Sequence, residues 1–137
     1  MKFIDMKSKL FIRILLLIVF SGVYSIDFTH AQDNKVYSTA TVMPSFPGGK
    51  DALAKFLKAN TKYPAAADSA HTTGIVTVSF IVEKNGALSS IDVVKSIGHG
   101  CDAEALRVVR KMPKWNPGSL KGKTVRVNSK VSIKFPQ

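Results

Sequence analysis

The residues of this chain that could carry chemistry gather around one cysteine. Cys101 is the sole cysteine of 137 residues. It stands two positions after His99 and directly before Asp102, with Glu104 close by, where a helix is expected to begin. A helix N-terminus lowers a thiol pKa, and a nearby base would complete a nucleophilic pair. Nothing supplies the third, orienting partner, and a lone cysteine more often serves as a small buried hydrophobe. His71, His99 and Cys101 are too few and too scattered for a closed zinc site, which takes four ligands. Asp102 and Glu104 suit the positive end of a helix better than an acid and base pair. The expectation is therefore no catalytic residue, no metal, no cofactor and no enzyme. A single cysteine also forbids an internal disulfide, so the fold must rest on its core.

The length leaves room for one domain. Residues 1–31 read as a secretory signal peptide: Lys2, Lys7, Lys9 and Arg13 precede an apolar run at 14–20, and Thr29, His30 and Ala31 resemble a cleavage site. A short membrane anchor is the other reading. Residues 14–28 include Ser21, Gly22, Ser25 and Asp27, however, and a span needs roughly 17–25 mostly apolar residues. Either way the folded part is expected in the periplasm, with 32–42 as a tether and 43–137 as the domain. From Gln32 onward, 16 Lys or Arg stand against 7 Asp or Glu, a net charge of +9. An exported protein with that balance suits acidic receptor segments, anionic lipid or cell-wall polymer, and nucleic acid is not an expected partner.

The elements that must position these residues follow from periodicity. Residues 36–37 and 40–42 have weak strand character. Pro44, Pro47, Gly48 and Gly49 make a turn before a helix at 50–60, where Leu53, Phe56 and Leu57 fall on one face. Tyr63 and Pro64 open a short second helix at 65–70. Residues 75–83 alternate as a strand, and Asn85-Gly86 signals a hairpin in which both residues take positive φ. The return strand, 88–96, has Leu88 out of phase with Ile91 and Val93, which implies a bulge near Ser89 and Ser90. A third helix spans 102–112, with Leu106, Val109 and Met112 inward. Trp115 and Pro117-Gly118 form a turn, 121–123 cross over, and a closing strand runs over 125–135. On it Val125, Val127, Val131, Ile133 and Phe135 share one face, broken at Ser129, while Arg126, Asn128, Lys130, Ser132 and Lys134 share the other. The sum is an α+β two-layer sandwich, a three-stranded antiparallel sheet packed by two main helices, with the closing strand at an edge beside 75–83.

Lys62-Tyr63-Pro64-Ala65, Gly74-Ile75-Val76, Asn85-Gly86, Val93-Val94-Lys95-Ser96, Met112-Pro113-Lys114-Trp115-Asn116-Pro117-Gly118 and the closing strand occur in an order and spacing that resemble the TonB C-terminal domain. Pro44-Ser45-Phe46-Pro47-Gly48-Gly49 looks like the lead-in of the Bacteroidetes branch. The resemblance implies a periplasmic module of energy-coupled transport that binds the TonB box of outer-membrane receptors as an added strand, and inner-membrane proton-motive-force motor proteins as further partners. It assigns backbone pairing to Arg126, Val127, Asn128, Ser129, Lys130, Val131, Ser132 and Ile133. Tyr63, Pro64, Met112, Pro113, Trp115, Pro117 and Gly118 are motif positions that contact a partner under the same implication. The chain departs from energy transducers in lacking a long Pro-rich rod, since residues 29–43 reach only ~50 Å when fully extended.

Two readings stay open on the residues themselves. Trp115 either caps the core or forms a binding platform. Arg107, Arg110, Lys111 and Lys114 recur at helical spacing as a basic ridge, either a solvated face or an attractor for an acidic surface. The alternative function is a self-associating module, a homodimer formed through the closing strand, or a cell-wall-binding protein without energy transduction.

Overall fold

Pro47 and two glycines hand the chain into its first helix. Gly48 has φ 87°, a left-handed value, and an added Cβ there would lie 2.8 Å from Cβ of Ala52. The computed structural model describes residues 34–137, and the targeting segment expected in 1–31 lies outside them. The elements are β1 (Val36–Tyr37), α1 (Gly49–Asn60), α2 (Ala65–Ser69), β2 (Gly74–Val82), β3 (Leu88–Lys95), α3 (Cys101–Arg110), β4 (Gly118–Leu120) and β5 (Lys123–Phe135). No helix of the described residues is long and apolar enough to cross a membrane.

The sheet order is β1-β5-β2-β3, with β4 paired to the first residues of β5. Its centre is the three-stranded antiparallel sheet read from the sequence, and β5 lies beside β2. The strand count differs, because β1 and β4 add to it. Residues 121–123 do not cross over: Lys121 (φ 50°) and Gly122 (φ 78°) make a two-residue hairpin that returns β4 onto β5. Two consecutive positive φ values match the twist of paired strands, so the chain reverses at once. At Asn85-Gly86 only Gly86 takes positive φ (83°). The loop is one residue longer than a two-residue turn, with Glu83 N–H donating to Ala87 O at 2.8 Å and Gly86 N–H to Glu83 O at 2.8 Å. The bulge expected in β3 is present as a register shift opposite Ser79 and Ile81, and Ser90 has φ 48°.

The core lies between the helices and the inner face of the sheet. Val76, Val78, Phe80 and Val82 from β2, with Val127, Val131, Ile133 and Phe135 from β5, are buried there. Leu57 is the buried residue of α1, flanked by Leu53 and Phe56. On α3 the buried stripe is Cys101, Ala105, Val108 and Val109, with Leu106 and Met112 at its flanks. Trp115 belongs to this core: its ring centroid lies 5.1 Å from Phe80 and 5.9 Å from Phe46, both edge-on, the geometry aromatic pairs favour.

Three carboxylates tie the elements together. Glu83 takes both Nε (2.7 Å) and Nη2 (2.8 Å) of Arg126, along with the Ser89 hydroxyl, and the Arg126 partner first of all holds its pKa below the ordinary carboxylate value. Glu104 takes Nε and Nη2 of Arg107 and the Lys62 N–H, and Arg107 is the main cause of its lowered pKa. Burial pushes the Asp102 carboxyl up, but donors from Ser96 Oγ and the Ile97 and Gly98 N–H groups outweigh it and leave the pKa lowered. A folded-state pKa below the unfolded one gives stability that is complete above the unfolded value and is lost as pH falls through the folded value. The thermal midpoint is therefore expected to hold from neutrality to about pH 5 and to fall steeply below about pH 4. Scanning calorimetry across that range checks it; a midpoint unchanged at pH 2.5 would contradict the three tethers.

Candidate functional site

The surroundings of Cys101 and His99 do not favour a thiolate nucleophile. Cys101 is fully buried, and burial raises its pKa above the ordinary thiol value, with the neighbouring Asp102 charge adding to the rise. His99 is occupied elsewhere, its Nδ1 2.8 Å from Thr72 Oγ1. Among the described residues no cluster of His, Cys, Asp or Glu could hold a metal ion.

What the fold leaves open is backbone. β5 pairs with β2 over nine consecutive residues, from Gly74↔Phe135 to Val82↔Val127, without a register shift. On its other side β1 pairs in parallel with Arg126 and Val127 and goes no further. From 128 to 135 no strand of the described residues pairs with that side. Every second residue there turns its N–H and C=O outward, a template for another extended chain. β3 forms the opposite edge of the sheet, but its two register shifts and the positive φ of Ser90 break the row of donors and acceptors.

This corrects one part of the expected site. Arg126 and Val127 are already paired with β1, and the Arg126 guanidinium is spent on Glu83 and on the Asn34 carbonyl, 2.7 Å from Nη1. Asn128, Ser129, Lys130, Val131, Ser132 and Ile133 remain on the open stretch. Lys130 and Lys134 are exposed on its outer face, so the edge is basic.

Beside the start of the open edge, Ser38, Met43, Pro44 and Trp115 meet Asn128, Ser129 and Lys130 around a depression of about 460 Å³. Ser129 sits on the inner face, in register with Phe80 of β2, at the one position between Val125 and Phe135 where that face lacks an apolar side chain. Trp115 is 8% exposed, and its Nε1 is buried without a hydrogen-bond partner. Met43 is 48% exposed. Ser38, Met43 and Pro44 had no place in the sequence-derived site. The signal available for them was the gap in alternation at Ser129, which implied a space but not what lines it.

The other motif residues disperse. Met112, Pro113 and Lys114 line a separate depression of about 310 Å³ with Arg110, Leu88 and Ile91, next to β3. Pro117 precedes β4, and Gly118 opens it so close to Val127 that an added Cβ would lie 2.7 Å from its Cγ2. Tyr63 donates its hydroxyl to the Thr72 carbonyl at 2.6 Å, and burial raises its pKa. Pro64 packs near Gly100 at the start of α3. In the basic ridge, Arg107 turns to Glu104 and to the Asn60 carbonyl at 2.7 Å, which leaves Arg110, Lys111 and Lys114 as its outward charges.

Comparison with known proteins places this arrangement. None of the curated proteins is significantly similar to the chain. Among solved structures, the solution structure of the Helicobacter pylori TonB C-terminal domain matches at 22% identity and a TM-score of 0.45, over 62% of this chain and 89% of that one. The family described as Gram-negative bacterial TonB protein C-terminal matches residues 59–136, more than half of the chain. The chain therefore belongs to the TonB C-terminal domain family, a non-enzymatic, transport-associated family of the Gram-negative envelope.

Proposed function

We propose that this protein is a periplasmic module that captures the N-terminal TonB-box segment of outer-membrane receptors as a strand along residues 128–135 of β5, and so takes part in TonB-type energy-coupled transport. The observation that carries the reading is the open side of β5, a strand whose register with β2 is unbroken, in a chain of this family. Residues 1–31 export or anchor the module. Inner-membrane motor proteins are the proposed source of energy.

Strand addition draws its affinity from main-chain hydrogen bonds and its selectivity from alternate side chains. About four to six such bonds, each worth ~0.5–1.5 kcal/mol net, leave a few kcal/mol after ordering costs. Binding is then micromolar or weaker, as suits a coupling that must release. Calorimetric titration of the full chain with synthetic receptor N-terminal segments tests this. N-methylation of alternate peptide residues removes ladder donors in one phase only. One of the two methylated series is expected to lose at least tenfold in affinity while the other binds normally, and equal binding by both series would rule strand pairing out. Self-association through the same edge is the competing reading, and a concentration-dependent dimer in sedimentation that no receptor segment dissociates would favour it.

A further inference from the structure

We infer that the depression beside Ser129 is an anchor subsite: it takes one large apolar side chain of the captured strand, and Lys130 reads a carboxylate on the next residue of that strand. The inference rests on the strand-capture reading and adds the chemistry of the segment that is captured.

A residue of an added strand directly opposite Ser129 shares its face, with Cβ atoms about 4.5–5.5 Å apart. On β5 that face is otherwise filled by Val127 and Val131, while Ser129 leaves room between them. The room is about 460 Å³, within the ~300–1,000 Å³ typical of ligand sites, with Trp115, Met43 and Pro44 as its apolar wall and Ser38, Asn128, Ser129 and Lys130 as its polar one. It is large enough for leucine or phenylalanine. The next residue of the added strand points to the outer face, opposite Lys130, where an Asp or Glu meets an exposed cation and a Lys or Arg is repelled. The captured segment thus reads apolar then acidic, in phase with Ser129 then Lys130.

The test uses polar 12-residue peptides with one guest position of Gly, Leu or Phe, followed by Asp or Lys, titrated against the full chain. Two readouts run together: amide shifts of 128–135 report pairing with the edge, and the emission of Trp115, the one tryptophan of the chain, reports filling of the depression. Leu-Asp and Phe-Asp peptides are expected to bind at least tenfold more tightly than Gly-Asp and to change the Trp115 emission, which Gly-Asp does not. Ser129→Phe fills the space and should erase the advantage of Leu and Phe. Lys130→Glu, on an exposed side chain that folding does not need, should invert the preference for Asp over Lys. Equal affinities across guests, with amide shifts still at 128–135 and Trp115 unmoved, would overturn the subsite and leave strand capture standing. No amide shift with any peptide would overturn both.

Discussion

Phe80→Ala is expected to destabilise the domain by about 3–5 kcal/mol, the cost of emptying a buried aromatic position. Phe80 is fully buried in the central strand, edge-on to Trp115 at 5.1 Å, and in register with Ser129 on β5. Ser129 is too small to reach into the void, so collapse around the missing ring is limited. Domains of this size are stable by only about 5–15 kcal/mol, so the variant will sit near the folding threshold. Phe80→Leu, which keeps much of the volume, should lose clearly less. Denaturant titration separates the two, and a loss below about 1 kcal/mol for Phe80→Ala would contradict the placement of this ring at the centre of the core.

Gly86→Ala is expected to cost about 2–4 kcal/mol, several times the effect of a usual surface substitution. Two terms add. Gly86 sits at φ 83°, where an L side chain costs ~1–2 kcal/mol. The new Cβ would also lie 2.1 Å from the Trp115 carbonyl oxygen, far inside contact distance. The hairpin and the Trp115 segment must part, breaking the 2.9 Å hydrogen bond from Trp115 N–H to Gly86 O, worth ~0.5–1.5 kcal/mol. Trp115 emission should shift with the loss of stability. A cost near 1 kcal/mol with unchanged emission would mean that the close approach of these two loops is wrong.

Much of the fold was legible because the long elements carry long patterns. Five apolar positions in β5, four in β2 and the Asn85-Gly86 punctuation suffice to give three antiparallel strands and their neighbours. β1 and β4, of two and three residues, are too short for a full alternation: 36–37 read only as weak strand and β4 as part of a turn, and they form where Arg126 holds the Asn34 carbonyl and the Lys121-Gly122 turn brings partners together. The weak strand signal at 36–37 named no partner, so its pairing with Arg126 and Val127 could not be read from the sequence. Trp115 illustrates the other gap. Its neighbours in sequence allowed either a platform or a core cap, and only the convergence of Phe46 and Phe80 from distant elements decides for the core, with one flank left beside Ser129. The full burial of Cys101 is likewise something that its spacing to His99 does not encode.

The most direct test of strand capture is amide NMR of the full chain with and without a receptor N-terminal segment. Capture on β5 predicts shifts confined to residues 128–135 and their immediate surround, with new cross-strand contacts between peptide and β5 and with β3 (Leu88–Lys95) unmoved. Shifts centred on β3, or peptide contacts to side chains with no backbone pairing along 128–135, would contradict it.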